Sequence, residues 1–343
     1  MKLLRFLLFP FAVLYDAITR TRNWFFNLGV LKSTKFNIPI VAVGNLSVGG
    51  TGKSPQIEYL IRLLKADYKI AVLSRGYKRK TKGFQLLDDS HTVEDVGDEP
   101  LQFYKKFKNE VSIAVDTDRT NGVQQLLKGE NPPEVILLDD AYQHRKVTAS
   151  SYILLTKYKD LFINDFLLPT GNLRESRRGA KRAKAIVVTK CPENLSKIEQ
   201  CELERRINPL PNQEVFFSTI VYDEQLGGTE NLSLQDLTNM EIVLVTGIAN
   251  PSSLLSFLTE RKIKFQHINF PDHHHFSDSD LKNIQQQFEQ IESSEKYIIT
   301  TEKDFVRLEG KLKNLAYIGI KNKFLGDEKA FDRLVLNEIK NFS

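Results

Sequence analysis

The stretch Val43-Gly44-Asn45-Leu46-Ser47-Val48-Gly49-Gly50-Thr51-Gly52-Lys53-Ser54-Pro55 decides the fold. It follows an apolar run over residues 38–43 that predicts a buried strand. A helical pattern comes next, with apolar residues on one face from Ile57 to Leu64. A strand, a glycine-rich loop, Lys-Ser and a helix together form the context in which a phosphate-binding loop works. The sequence therefore predicts a nucleotide-binding protein.

Each part of this loop has a chemical role. Glycines let backbone N–H groups turn toward phosphate oxygens, and the helix N-terminus adds the positive end of its dipole. Lys53 would reach the β- and γ-phosphates, and the Ser54 hydroxyl would ligate Mg²⁺. Ser47 replaces the first glycine of the strict pattern, and a glycine-rich turn that binds nothing is the alternative. The residues predicted to contact the nucleotide are Ser47, Val48, Gly49, Gly50, Thr51, Gly52, Lys53 and Ser54.

The bulk composition is that of a folded protein. The 343 residues are 41% hydrophobic and 27% charged, which argues against disorder, and their number suits about two domains. The net charge of +5 is concentrated in residues 1–35, where six Lys and Arg residues accompany Asp16 as the only acidic residue. Two cysteines, Cys191 and Cys201, suit a reducing cytosol and receive no function.

The N-terminus combines this charge with apolar bulk. Residues 6–15 are uncharged but include Pro10, and they fall short of the ~20 residues that span a bilayer. No signal-peptide cleavage site follows. Aromatic residues among Lys and Arg are typical of a segment that lies in a membrane interface and is attracted to anionic lipid. We predict that residues 1–30 lie on a membrane surface, and a helix packed on the core is the alternative.

The remaining pattern predicts two α/β domains. Near-continuous apolar runs indicate strands that are covered on both faces, so residues 31–222 should form a doubly wound, mostly parallel sheet of the P-loop NTPase type. Its further strands are predicted at 69–74, 111–115, 135–140, 152–156, 185–189 and 215–222. Residues 223–233 indicate a boundary, and 223–343 predict a smaller α/β sandwich whose last strand and helix could pack back on the linker. The elements predicted there are strands at 242–246, 265–270, 297–301 and 316–320 and helices at 251–261, 277–291 and 328–341.

Two carboxylate motifs could serve phosphate chemistry. Asp139 and Asp140 end an apolar strand, where an Asp of P-loop enzymes holds Mg²⁺, although a simple strand-end turn is the alternative. Gly97-Asp98-Glu99-Pro100 stands at a predicted helix start, where a capping role is the alternative. Phosphoryl transfer to an alcohol needs a carboxylate that accepts the hydroxyl proton.

Histidines and arginines complete the candidate set. Asp272 precedes three adjacent histidines, which lack zinc-site spacing and favour an Asp-His acid/base or orienting pair. Arg75 and Arg174 follow predicted strands, where they could clamp phosphate or form surface salt bridges. Residues 189–192 stand where many GTPases read guanine, but they lack the aspartate of that motif.

Taken in order, these motifs resemble the tetraacyldisaccharide 4′-kinase family of lipid A biosynthesis. The similarity covers about residues 1–305. Its elements are the hydrophobic-basic N-terminus, the loop at 43–55, Ser74-Arg75-Gly76-Tyr77, Gly97-Asp98-Glu99-Pro100, residues 139–145, Gly171-Asn172-Leu173-Arg174-Glu175, Phe270-Pro271-Asp272-His273-His274 and Thr301-Glu302-Lys303-Asp304.

The resemblance implies a reaction and its participants. The γ-phosphate of ATP would pass to the 4′-hydroxyl of an acylated glucosamine disaccharide 1-phosphate, giving the 1,4′-bisphosphate, lipid IVA. The enzyme would be peripheral or monotopic, on the cytoplasmic face of a bacterial inner membrane. Neither a nucleic-acid nor a protein partner is implied.

The resemblance also assigns roles to residues. Asp98 would be the general base, oriented by His273 from the second domain after the cleft closes on ATP. Lys53 would hold phosphates. Mg²⁺ would bind Ser54 and Asp139, with Glu99 as a further candidate ligand. Further candidates in the site are Asp140, Arg174 and Glu175, and weaker candidates for contact with substrate are Arg75 and Arg119.

Three other functions remain open from the sequence. A soluble P-loop GTPase or metallochaperone-type switch would prefer GTP and need no anchor, and a ligase acting on a small carboxylic acid would leave residues 1–28 unexplained. A membrane-binding scaffold would tolerate replacement of Asp98, Asp139 and His273.

Overall fold

The computed structural model describes residues 5–229 and 232–342. The predicted membrane segment therefore falls partly outside the described residues, because it includes residues 1–4. Its described part is mainly helix α1 (Phe9–Asn27), in which Pro10 occupies the first turn, where its missing N–H costs no hydrogen bond.

The other helices and the strands alternate along most of the chain. The helices that follow are α2 (Lys53–Leu64), α3 (Val93–Val96), α4 (Asp98–Phe107), α5 (Arg119–Lys128), α6 (Lys197–Ile207), α7 (Ser252–Glu260), α8 (Asp278–Glu289), α9 (Glu302–Leu308) and α10 (Glu328–Lys340). The strands are β1 (Thr34–Lys35), β2 (Ile40–Asn45), β3 (Ile70–Ser74), β4 (Gln85–Leu86), β5 (Ser112–Val115), β6 (Val135–Leu138), β7 (Val147–Thr148), β8 (Ser151–Lys157), β9 (Ala185–Thr189), β10 (Glu214–Tyr222), β11 (Glu241–Thr246), β12 (Lys264–Asn269), β13 (Lys296–Thr301), β14 (Leu315–Ile318) and β15 (Ile320–Phe324).

The larger sheet has nine strands in the order β15-β10-β9-β8-β2-β6-β3-β5-β4. Its interior pairs are parallel, and the antiparallel pairs β10·β15 and β4·β5 lie at the two ends. Every residue of β2 is buried, as the uninterrupted apolar run predicts for a strand covered on both faces. The predicted doubly wound sheet is confirmed, and the loop after β2 lies at the carboxyl edge of its centre.

The smaller sheet has four parallel strands in the order β12-β11-β13-β14. Helix α7 covers one face through Leu254 and Leu258, and α8 covers the other through Ile284 and Phe288. This arrangement is the predicted α/β sandwich.

The last strand and helix belong to the larger core. The strand predicted at 316–320 is in fact two strands, β14 and β15, which separate at Gly319 and join different sheets. Strand β15 pairs with β10, and Phe331 of α10 packs with Ile57 of α2 in one hydrophobic cluster. An apolar run alone cannot reveal such a break, because the residues on both sides are equally suited to strands.

Candidate active site

Hydrogen bonds from side chains of the neighbouring strands fix the shape of the phosphate loop. Positive φ angles fall on Gly49 (+98°) and Gly52 (+85°), conformations that glycine adopts without steric cost. The Asn45 amide donates to Thr51 Oγ1 at 2.8 Å, and Thr189 Oγ1 donates to the Thr51 carbonyl at 2.8 Å. These bonds fix the loop without using the N–H groups that open helix α2.

Ser47 occupies an extended part of the loop. It forms an antiparallel bridge with Leu173, the Val48 N–H donates to the Asn172 carbonyl at 2.8 Å, and the Arg174 N–H donates to the Leu46 carbonyl at 2.7 Å. Extended backbone suits any residue, so a serine here is compatible with the loop. The segment around Leu173 therefore runs alongside the first part of the phosphate loop and is hydrogen-bonded to it.

Lys53 and Arg174 both approach Asp140. Lys53 Nζ is 3.7 Å from Asp140 Oδ1, and an Arg174 guanidinium nitrogen is 3.3 Å from each Asp140 oxygen. This places two cations at the mouth of the loop, where they can meet phosphate oxygens. The expectation that Lys53, Asp140 and Arg174 share one site agrees with these distances.

Asp139 provides a buried carboxylate behind this group. Ser74 Oγ donates to Asp139 Oδ2 at 3.0 Å, whereas Asp139 Oδ1 is buried without a hydrogen-bond partner. Burial, with the nearby charges of Glu99 and Asp140, raises the pKa of Asp139 to about 7. Ser54 Oγ donates to Glu99 Oε1 at 2.9 Å. A cation would relieve both the orphaned oxygen and the crowded negative charge.

These oxygens fit Mg²⁺ better than a metal enclosed by protein ligands. Across residues 5–229 and 232–342 no group of three or more His, Cys, Asp or Glu side chains is arranged to hold a metal ion. Mg²⁺ usually keeps several waters and binds one or two carboxylates together with substrate phosphates. Ser54, Asp139 and Glu99 offer such a partial set of oxygen ligands.

Asp98 and His273 form a direct pair. His273 Nδ1 lies 2.8 Å from Asp98 Oδ2, although the two residues come from α4 and from the loop after β12. The sequence predicted that they would meet after closure on ATP, and in this structure they are already in contact. The Asp98 side chain also accepts from Arg307 through both oxygens, so it does not cap its own helix.

The electrostatics keep Asp98 ionised. Asp98 is only 8% exposed, and this burial by itself would raise the pKa of its carboxyl. Hydrogen bonds from His273 and Arg307 and the charge of Arg307 outweigh that burial and hold the pKa of Asp98 below its usual range. Asp98 is therefore a fixed, negatively charged acceptor beside Glu99 and the Ser54 end of the loop.

A buried carboxylate holds the histidine loop in place. The backbone N–H of His273 donates to the Gly247 carbonyl at 3.2 Å, and His273 has a positive φ of +58°, which few residues other than glycine adopt. Asp304 Oδ2 accepts from the Gly247 N–H at 2.8 Å and from Thr301 Oγ1 at 2.7 Å. The motif at residues 301–304 thus supports the loop that carries His273.

Two predicted site residues lie in the interior instead. Arg119 is 2% exposed, and its guanidinium donates to the carbonyls of Asp116 and Asp139 at 2.5 and 3.1 Å. Glu175 is 2% exposed and accepts from Asn23, Gln143 and Arg182 at 3.1, 3.1 and 2.7 Å. A direct contact with substrate does not fit this burial, because both oxygens of Glu175 and both terminal nitrogens of Arg119 are already engaged, and Arg119 Nε is buried without a partner. Both side chains hold the walls of the site.

Arg75 and helix α1 occupy the rim. Arg75 is exposed at the end of β3. The inner face of α1 is tied to the site, because the Tyr15 hydroxyl donates to the Arg174 carbonyl at 2.8 Å and Asn23 donates to Glu175 at 3.1 Å. One side of α1 therefore packs on the core, and its other side is exposed.

Comparison with known proteins decides the family. The family model described as tetraacyldisaccharide-1-P 4′-kinase matches residues 4–340. The chain belongs to this kinase family. A tetraacyldisaccharide 4′-kinase from Flavobacterium johnsoniae is 52% identical over 343 residues, covering 99% of this chain and 98% of that protein. The Bacteroides thetaiotaomicron protein of the same name is 44% identical and covers 88% and 82%.

A solved structure of a member of this kinase family has the same fold as this chain. The LpxK from Aquifex aeolicus, determined in complex with ATP, matches with a TM-score of 0.79 at 31% identity, over 98% of this chain and 99% of that one. The predicted family and fold class are therefore confirmed.

Sequence reasoning missed two residues of this kinase-family site. Lys303 Nζ lies 3.1 Å from His273 Nε2, and Arg307 contacts Asp98. Lys303 stands inside the motif at 301–304, so its position carried a signal, but no role was attached to it. Arg307 lies outside that motif, and its spacing of four residues from Lys303 on a helix was the available clue.

Proposed function

We propose that this protein transfers the γ-phosphate of ATP to the 4′-hydroxyl of tetraacyldisaccharide 1-phosphate, forming the 1,4′-bisphosphate. Membership of the kinase family supports the choice of reaction. The Asp98–His273 contact is the structural observation that supports this mechanism, because it orients a carboxylate with a lowered pKa whose neighbour, Glu99, accepts a hydrogen bond from Ser54 of the phosphate loop. The GTPase-type alternative has no comparable support.

The nucleotide would be held by backbone and charge. The loop N–H groups and the N-terminus of α2 would face the β- and γ-phosphates, while Lys53 would contribute a cation at the same point. Arg174, which approaches Asp140 in this structure, would exchange that carboxylate for a phosphate oxygen when ATP binds. Phosphoryl transfer relies mainly on such positioning and electrostatic stabilisation.

Proton transfer would end on Asp98. The 4′-oxygen forms a bond to the γ-phosphorus, the bond between that phosphorus and the β,γ-bridging oxygen breaks, ADP leaves, and the hydroxyl proton passes to Asp98. His273 donates to Asp98 and orients it. Mg²⁺ held by Ser54, Asp139 and Glu99 would neutralise charge on the phosphates when bound.

The proposed functional units meet at this pair. We propose that residues 31–222 bind the nucleotide and that 223–343 contribute His273, with 1–30 as the membrane segment. The contact of His273 with Asp98 at 2.8 Å supports a site shared by the two sheets.

A membrane surface would present the lipid substrate. Helix α1 exposes a stripe of apolar side chains, Phe11, Leu14 and Ile18, with 59–61% of each residue accessible. Arg20 and Arg22 are exposed on the same helix and would attract anionic lipid. Among the helices of the described ranges, none has the length and apolarity needed to cross a membrane. The apolar stripe with Arg20 and Arg22 supports peripheral binding to a membrane, and we place it at the cytoplasmic face of the inner membrane because the kinase family acts in lipid A biosynthesis.

The kinase proposal has a direct test. Purified protein is incubated with detergent-dispersed tetraacyldisaccharide 1-phosphate, ATP and Mg²⁺, and the 1,4′-bisphosphate is measured. Product should form with ATP, stop when Mg²⁺ is chelated, and remain low with GTP. Absence of product together with GTP hydrolysis would overturn the proposal in favour of the switch-protein alternative.

The membrane proposal predicts weaker binding when the apolar stripe is removed. Combining Phe11→Ser, Leu14→Ser and Ile18→Ser should weaken binding to anionic phosphatidylglycerol vesicles by at least ~10-fold, because each buried side chain contributes about 1.5–3 kcal/mol. Sedimentation with vesicles measures this change.

A matched control for that experiment is Ile198→Ser, which removes an isoleucine that is 73% exposed on α6. Its vesicle binding should equal that of the unaltered protein. Equal loss in the control and the α1 variant would contradict a specific role for α1.

A further inference from the structure

Helix α9 brings two cations to the Asp98–His273 pair. Lys303 and Arg307 are four residues apart, so their side chains emerge on the same face of the helix. Lys303 approaches the outer nitrogen of the imidazole, and Arg307 approaches the carboxylate. The pair is therefore enclosed between two donors that cannot accept a proton.

The Lys303 contact determines how the His273 ring is protonated. Lys303 Nζ is 3.1 Å from His273 Nε2 and 3.0 Å from Asp272 Oδ1. An ammonium group has three donors and no acceptor, so Nε2 must carry the lone pair that accepts from it. The ring proton then sits on Nδ1, which donates to Asp98 Oδ2 at 2.8 Å. A second proton, on Nε2, would place a positively charged ring directly against the ammonium group.

Arg307 holds the carboxylate in one orientation. Arg307 Nε donates to Asp98 Oδ1 at 2.8 Å, one terminal nitrogen donates to Asp98 Oδ2, and the other donates to the His274 carbonyl at 2.8 Å. This is the two-point contact that a planar guanidinium makes with a carboxylate. One terminal nitrogen lies 3.3 Å from His273 Nδ1, but its closer contact is with Asp98.

The count of donors leaves Asp98 one place for substrate. A carboxylate offers about four lone-pair sites. His273 and the two Arg307 nitrogens take three of them, two on Oδ2 and one on Oδ1. The remaining site is on Oδ1, so the donors around Asp98 select the oxygen that receives a hydroxyl proton.

We propose that Lys303 and Arg307 are positioning residues: Lys303 keeps His273 Nε2 unprotonated, so that the ring carries its single proton on Nδ1, and Arg307 fixes Asp98 so that Oδ1 faces the acceptor hydroxyl. The expected effect on catalysis rests on the proposed function, whereas the expected protonation of the His273 ring does not.

The first experiment measures the ring nitrogens by NMR in ¹⁵N-histidine-labelled full-length protein. The His273 signals are assigned by their loss in His273→Asn. The unaltered protein should show a protonated Nδ1 and an unprotonated Nε2, and Lys303→Met should add a proton to Nε2 while Nδ1 stays protonated against Asp98. Lys303→Arg should restore the first pattern, and Lys313→Met, at an exposed position, should not change it. A protonated Nε2 in the unaltered protein would overturn the proposal, whatever the Lys303 variants show.

The second experiment separates positioning from nucleotide binding. Lys303→Met should lower kcat by about 10–100-fold with the KM for ATP changed less than about twofold, and Lys303→Arg should recover most of kcat. Arg307→Lys keeps the charge but loses the two-point contact, so kcat should fall by about 10-fold while the His273 tautomer stays unchanged. An unchanged kcat in Lys303→Met would overturn the catalytic part. If the unaltered protein fails to phosphorylate the disaccharide, the proposed function fails, and the NMR result still decides the tautomer.

Discussion

The phosphate loop and the corner around Asp98 are neighbours, but they are assembled in different ways. The loop is one continuous segment, Ser47–Ser54, and its shape comes from its own glycines and from strands β2 and β9 beside it. The corner is formed by Asp98 of α4, His273 of the loop after β12 and Arg307 of α9, so it combines elements that pack on both sheets. The loop therefore depends on local geometry, whereas the corner depends on how the two sheets pack together.

A buried ion cluster joins the two sheets near the corner. Lys106 of α4 lies 2.7 Å from Glu58 of α2 and 2.8 Å from Glu302 of α9. Burial and the charge of Glu58 raise the pKa of Glu302 to about 7, against the opposing effect of Lys106. A change in the protonation of Glu302 would therefore alter its ion pair with Lys106, which links elements of the two sheets.

The largest effect is expected from breaking the loop. Lys53→Met removes the cation at the start of α2 and should lower kcat by about 10²–10³-fold, because it removes one charged donor to the transferring phosphate. The folded structure should persist, since the loop is held by Asn45 and Thr189. Steady-state kinetics and thermal unfolding check the two expectations.

Lys128→Met, at the exposed end of α5, is the matched control for loss of a lysine charge. Its kcat should equal that of the unaltered protein. If Lys53→Met retained near-full kcat, the loop would not act on the transferred phosphate.

A smaller effect is expected at the junction of the two sheets. The folded protein raises the pKa of Glu302 from 4.5 to about 7, so it binds a proton more tightly than the unfolded chain does. This contribution to stability is present at low pH and is lost as pH rises through that interval. Glu302→Gln cannot titrate, so its unfolding free energy should gain about 1–3 kcal/mol relative to the unaltered protein between pH 4.5 and 7.

Urea unfolding at several pH values measures that difference. Glu309→Gln, which replaces a more exposed glutamate that pairs with Lys105, serves as the control. A pH-independent difference between Glu302→Gln and the unaltered protein would show that the junction does not titrate at Glu302.

The sequence predicted what is contiguous. Strand β2, the loop and α2 follow from one apolar run, three glycines and one helical stripe, because each signal is local. Asp139 was predicted for the same reason, since it ends a buried strand at a known edge of the sheet. The family resemblance added Asp98 and His273 as a pair.

The rest depended on contacts between distant residues. Arg307 contacts Asp98 across 209 positions, and no spacing rule links such residues. Arg119 and Glu175 have charged side chains that usually lie at surfaces, so their burial against backbone carbonyls and amides could not be foreseen. The separation of β14 from β15 was hidden because strand propensity does not specify which sheet a strand joins.

The central claim is that Asp98, from a helix packed on the larger sheet, and His273, from a loop of the smaller sheet, form one proton acceptor. A double-mutant cycle on these two residues tests it most directly. kcat is measured for the unaltered protein, Asp98→Asn, His273→Asn and the double variant, with His275→Asn as a control for loss of a neighbouring histidine. If His273 acts through Asp98, the double variant should be no slower than Asp98→Asn within about threefold. A double variant slowed by the product of the two single effects would contradict the claim.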